Sequence, residues 1–220
     1  MWRQIQRTNF RRLAPLCTFL NLNEAQRKLV IERPSFALNL PLRLAHKIEK
    51  GTLEDPVLRQ FLPLVEEEGT CEGFSADPVG DREAQQAPRL LKKYHNRALL
   101  MPTAACAMHC RYCFRRHFEY GESDLSRELE LIAQDPTLNE IILSGGDPLS
   151  LSDERLAELL RGMPQIKRVR FHTRFPVGIP ERIDDSFLRM IGGRLSSFGL
   201  LSMLIIQMSW IRFSLSASMR

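Results

Sequence analysis

Between Arg97 and Ile191 the chain repeats one pattern three times: a short apolar run, a loop of chemically distinctive residues, and a helix-forming segment. Ala98–Met101 runs into a loop with three cysteines, Cys106, Cys110 and Cys113. Glu140–Leu143 runs into Ser144-Gly145-Gly146-Asp147, and Arg168–Phe171 into His172-Thr173-Arg174. The helices expected between them are Ser126–Gln134, Asp153–Arg161 with Ser152 as its cap, and Asp184–Ile191, stopped by Gly192-Gly193. Strand followed by helix, repeated, predicts an α/β fold with a parallel sheet. In β/α barrels the loops at the carboxyl ends of the strands build the active site, so three separate motifs should meet at one mouth.

The chain before this pattern reads differently. Residues 1–88 form a helical lead-in with loops, in which Asn23–Glu32, Leu40–Lys50 and Asp55–Glu67 are the expected helices. Asn23 caps the first, Gly51 ends the second, and Pro56 sits in the first turn of the third. Gly69–Pro88 reads as loop. Met1–Pro15 carries Arg3, Arg7, Arg11 and Arg12 and no acid, which fits an organellar leader or, as preferred here, a basic amphipathic first helix of the domain. A hydrophobic content of 44% suffices for a core, and the +5 charge is spread along the chain, so neither a nucleic-acid partner nor a membrane is expected.

The cysteine spacing carries the chemistry. Cys106-Ala-Met-His-Cys110-Arg-Tyr-Cys113 offers three thiolates, enough to hold three irons of a four-iron, four-sulfur cluster and leave the fourth iron open to a small chelating ligand. The alternative is a structural zinc site with His109 or His117 as fourth ligand, but zinc sites usually pair two C-x2-C units and only one is present. Five cysteines, three of them clustered, point to a reducing compartment and hence the cytoplasm. Tyr112 puts an aromatic ring beside the cysteines, and Arg115 and Arg116 add a pair of cations able to grip a carboxylate.

These residues resemble the radical S-adenosylmethionine (SAM) enzymes. With Lys92–Arg97, Gly73–Pro78, the Cys106–His117 run, Leu143–Leu149 and Phe171–Arg174, the sequence is similar to the lysine 2,3-aminomutases, nearest the bacterial type whose β-lysine modifies elongation factor P. The resemblance runs from about Trp2 to about Leu195. It implies a partial (β/α) barrel of which this sequence holds the N-terminal half, over residues 89–195. It also implies a 4Fe–4S cluster on Cys106, Cys110 and Cys113, and SAM bound by Tyr112, Ser144, Gly145, Gly146, Asp147, His172 and Arg174. Arg115 would bind the substrate carboxylate, and Lys93 and Arg97 the phosphate of pyridoxal phosphate (PLP). The implied reaction is a 1,2 shift of the amino group of L-lysine, with an electron donor feeding the cluster.

Two features depart from that pattern. In the resembling enzymes a lysine beyond the barrel forms the PLP Schiff base, and this sequence has no lysine after Lys167. Residues 196–220 form an apolar tail with no acid. A membrane segment or a buried helix would be apolar too, but a membrane span needs about 20 uninterrupted apolar residues. A shifted reading frame explains the tail better. With suitable codons, Ser202–Ile211 reads in another frame as Val-His-Val-Asn-His-Pro-Asn-Glu-Leu-Asp, similar to a stretch expected after the fourth strand. The expectation is a frame change between about Ile191 and Ser197, a truncated and poorly soluble chain, and an inactive product. Two further classes stand beside it: a non-catalytic iron–sulfur or zinc module, and a radical SAM enzyme that does not use PLP.

Overall fold

The structure is a computed structural model, and it describes residues 1–69 and 72–192 in full and the backbone of residues 197–202. One mixed sheet of six strands organises it: β1 (Gln85–Ala87), β2 (Leu90–Tyr94), β3 (Arg97–Thr103), β4 (Glu140–Gly145), β5 (Arg168–Thr173) and β6 (Ser197–Ser202), in that spatial order. β1, β2 and β3 are antiparallel neighbours, and β3 to β6 run parallel. The α/β class and the parallel sheet expected from the sequence are present.

The three helices expected between strands form where their sequences direct. α5 (Ser126–Gln134) and α6 (Asp153–Arg161) match residue for residue, and α8 spans Asp185–Gly192. The Ser152 hydroxyl accepts the Arg155 N–H as an N-cap. Alternation along the strands separates two faces. Ala98, Leu100, Ile141, Leu143, Val169 and Phe171 are buried in the main core with Ile132, Leu156 and Phe187 of the helices. The opposite face carries Leu99 and Met101, Ile142 and Ser144, and Arg170 and His172.

The lead-in differs more. The remaining helices are α1 (Trp2–Arg7), α2 (Leu13–Phe19), α3 (Glu24–Lys28), α4 (Leu42–Ala45) and α7 (Phe175–Gly178). Asn23 caps α3 in a full capping box with Gln26, but the helix ends at Lys28. The helix expected over Asp55–Glu67 is instead two 3-10 turns, Leu58–Gln60 and Val65–Glu68. Pro63 cannot donate within a helix, and the Asp55 carboxylate captures the Val57 and Leu58 N–H groups in a local turn. The first helix expected over Met1–Pro15 forms only over Trp2–Arg7; Phe10 then bridges Leu40, α2 starts at Leu13, and Trp2 meets Phe175 edge-on at 5.4 Å. Leu16, Leu20, Leu44 and Leu58 share one core with the sheet strands.

The hairpin of β1 and β2 was not anticipated; its turn to β3 is formed by His95-Asn96, without glycine. Among the described residues no helix is long and apolar enough to cross a membrane. The expected frame change falls largely, and the apolar tail beyond Ser202 wholly, outside the described residues, as does Cys71. Residues 197–202 are strand backbone paired with β5, not helix.

Candidate active site

The loops after β3, β4 and β5 meet. One pocket is lined by Cys106, Cys110 and Cys113, by Tyr112 and Arg115, by Ser144, Gly145, Gly146 and Asp147, and by His172 and Arg174. Every residue assigned to the cluster, SAM and the substrate carboxylate is therefore in one place. Lys93 and Arg97 line a second pocket with Asp81, Leu99 and Ile142, and Arg115 borders both.

The glycines have a structural cause. Gly145 has φ +93°, and a Cβ there would lie 2.7 Å from Met101 Cβ. At Gly146 a Cβ would lie 2.5 Å from the Ala105 carbonyl oxygen. The end of β4 thus presses against the backbone just before Cys106, and the Gly146 and Asp147 N–H groups donate to the Thr103 and Ala105 carbonyls at 2.9 and 2.8 Å. Asp147 is buried, and its carboxylate accepts the Leu149 N–H at 3.0 Å and the Arg174 N–H at 2.7 Å. Burial pushes its pKa up to about 6, opposed by the Thr173 hydroxyl and these N–H donors. Its side chain ties the loops after β4 and β5 together.

Each cysteine sulfur has a donor beside it. The Asp147 backbone N–H reaches Cys106, the Arg115 backbone N–H reaches Cys113, and Arg174 Nη1 donates to Cys110 Sγ at 2.8 Å. Burial raises the Cys106 thiol pKa, with Asp147, Cys113 and Cys110 adding to it, and burial also raises that of Cys113. Without a bound metal these two are thiols, and metal binding would displace their protons. Among the described residues no three such side chains are gathered closely enough for a single ion; a cubane spreads its ligands wider. His109, offered above as a fourth zinc ligand, has its Nδ1 on the Ala37 carbonyl at 2.8 Å and its ring stacked on Phe36. His117 is exposed and does not line the pocket.

Sequence reasoning missed three groups. Asp81, almost wholly buried, bonds Arg115 Nε and Lys93 Nζ, each at 2.8 Å, and so joins the two pockets. Gln60 Oε1 accepts Arg174 Nη2 at 2.8 Å. Asn9 and Asn39 hold the cysteine loop through the Ala107 and Cys106 carbonyls, at 2.8 and 3.4 Å. The only linear signal is that Asp81 follows closely on the Gly73–Pro78 motif. Three buried nitrogens of pocket-lining residues make no hydrogen bond: His172 Nε2, Arg174 Nε and Arg97 Nε, the last 3.7 Å from the Glu140 carboxylate. Burial lowers the His172 pKa to about 4, with Arg170 and Arg115 adding to it, so the ring is neutral near pH 7.

No family model matches the chain. Individual proteins do. The chain is 43% identical over 184 residues to the L-lysine 2,3-aminomutase of Escherichia coli K12, covering 79% of this chain and 53% of that protein. It is 41% identical over 181 residues to that of Haemophilus influenzae, covering 78% and 54%. The L-lysine 2,3-aminomutase of Clostridium subterminale is 33% identical over 154 residues, covering 66% of this chain and 37% of that protein. The chain spans about half the length of the first two of these relatives. With the matching span taking in all three motif loops, the chain belongs to the lysine 2,3-aminomutase family.

Proposed function

We propose that the chain carries the cluster and SAM site of an isomerase that converts L-α-lysine to β-lysine. The observation that supports this most is the meeting of the cysteine loop, Ser144–Asp147 and His172–Arg174 in one pocket, with Arg115 shared by a second pocket that holds Lys93 and Arg97. The half-barrel expected from the resemblance agrees with the parallel run β3 to β6.

The residues fit the groups this reaction needs. Three sulfurs with N–H donors suit an iron–sulfur cluster. The unpartnered His172 Nε2 offers a polar contact for SAM, and Arg97, whose Nε makes no hydrogen bond though it lies 3.7 Å from Glu140, offers one for a phosphate. When bound, the cluster with SAM supplies one-electron chemistry, and PLP supplies a hold on the migrating nitrogen. Cys106, Cys110 and Cys113 would carry the irons. Ser144, Gly145, Gly146, Asp147, Tyr112, His172 and Arg174 would frame SAM. Arg115 would take the lysine carboxylate in a two-point grip, and Lys93 and Arg97 the PLP phosphate. Asp81 fixes the spacing between these cations, and Met108 and Phe114 give the pocket an apolar wall that excludes water. We place the enzyme in the cytoplasm, fed by a reductant, with elongation factor P as the destination of its product.

Anaerobic reconstitution tests the reading. About four irons with matching sulfide per chain, and reductant-driven cleavage of SAM to 5′-deoxyadenosine and methionine, are expected. β-Lysine formation is not expected of this stretch by itself, because it has no lysine after Lys167 to hold PLP as a Schiff base. One zinc per chain without SAM cleavage overturns the reading. SAM cleavage indifferent to PLP and lysine points to a PLP-independent radical enzyme instead.

A further inference from the structure

The Arg174 guanidinium is buried and, among the described residues, forms no ion pair with a carboxylate. Two of its three nitrogens are held, while Nε is buried without a hydrogen-bond partner. Nη2 is held by Gln60 Oε1 at 2.8 Å, and Nη1 donates to Cys110 Sγ at 2.8 Å. The plane lies against the rings of Phe61 and Tyr112, 5.4 and 5.5 Å from their centroids. The backbone N–H of the same residue is fixed on Asp147. A buried cation without a counter-ion is costly unless an anion meets it, and the group it does meet is a cysteine sulfur. Cys106 and Cys113 receive backbone N–H groups from Asp147 and Arg115, and the Arg115 and Arg116 cations act on Cys113 through space. Arg174 differs in bringing its guanidinium into direct hydrogen-bond contact with a cysteine sulfur, Cys110.

Resting on the iron–sulfur reading above, we propose that Arg174 is a positioning residue that raises the reduction potential of the cluster through the Cys110 sulfur. Reduction adds one electron, and so one negative charge, to the cluster. A fixed cation and a hydrogen bond to a ligand sulfur both favour the more negative state. Gln60 sets where the guanidinium stands, and the two rings keep it from swinging away.

The test is a potentiometric titration of the reconstituted full chain followed by electron paramagnetic resonance, in wild type, Arg174→Gln, Arg174→Lys and Gln60→Leu. Iron and sulfide content and SAM binding are measured on each. Arg174→Gln is expected to keep the cluster but lower the reduced-to-oxidised ratio at a fixed potential by about tenfold, the scale of a hydrogen bond from a charged donor. Arg174→Lys keeps the charge and should shift less. Gln60→Leu, which leaves Arg174 in place but unanchored, should shift in the same direction. Coincident titration curves at equal iron content overturn the proposal. So does weakened SAM binding with an unmoved potential, which would assign the guanidinium to SAM alone. A wild-type chain that assembles no cluster overturns the iron–sulfur reading itself, and this is seen before any variant is made. If Arg174→Gln fails to fold, Arg174→Lys and Gln60→Leu decide the matter.

Discussion

A Cβ on Gly146 would press into the peptide of Ala104 and Ala105, the backbone that leads into Cys106. Backbone on both sides leaves no flexible side chain to yield. Gly146→Ala is expected to destabilise the fold by about 1–3 kcal/mol and to reduce iron uptake, measured by thermal melting and iron assay after reconstitution. His172 gives a prediction in pH. Its folded pKa, about 4, lies below the ordinary 6.5, so the stability it contributes is complete above pH 6.5 and is lost as pH falls toward 4. Asp147 has the opposite sign: raised to about 6 from 3.8, its contribution is present below 3.8 and lost as pH rises through 6. Because the two oppose each other, wild type and variant must be compared. His172→Gln should lose less stability than wild type on acidification from pH 6.5 to 4, and equal losses in denaturant titrations would contradict this.

The strands show why so much of the architecture could be read in advance. α5 and α6 are amphipathic segments between apolar runs, and Ser152 marks where α6 begins, so local chemistry and tertiary packing agree. Asp55–Glu67 misled because the capture of two N–H groups by Asp55 and the break at Pro63 defeat the helix start that Pro56 signals. The hairpin was missed because Leu90-Leu91-Lys92-Lys93-Tyr94 does not alternate cleanly and its turn has no glycine. The three motif loops were legible since each follows a strand directly; Asp81 and Gln60 were not, because their partners lie 34 and 114 positions away. Strand parity also places Arg97, Glu140, Arg168 and Arg170 on the same sheet face as Ser144 and His172. Buried Glu140 sits among those three arginines, bonded to Arg168 and Arg170 and 3.7 Å from Arg97 Nε. Glu140→Ala leaves these cations facing one another and is expected to cost about 3 kcal/mol in equilibrium unfolding.

At the scale of the molecule, Arg182 joins parts that are remote in sequence. It is buried, donates to the Leu149 and Leu151 carbonyls at 2.8 and 3.1 Å, pairs with Asp153 at 2.8 Å, and lies over the rings of Trp2 and Phe187. Arg182→Met would leave two carbonyls and a carboxylate without their donor. A loss of about 3 kcal/mol is expected, with faster proteolysis of the Trp2–Arg7 helix; a melt like wild type would deny the residue this role. The cysteine loop shows the same dependence on distant partners. Gln6 reaches the Cys106 carbonyl across 100 positions, Asn9 reaches Ala107 across 98, and Asn39 reaches Cys106 across 67. Contacts between residues so far apart form only after long stretches of chain have been closed into loops, so this site has high contact order and belongs to the late steps of folding. A nascent chain would thus expose the three thiols to solvent before anything clasps them, and oxidation during synthesis is the hazard that this route of assembly carries.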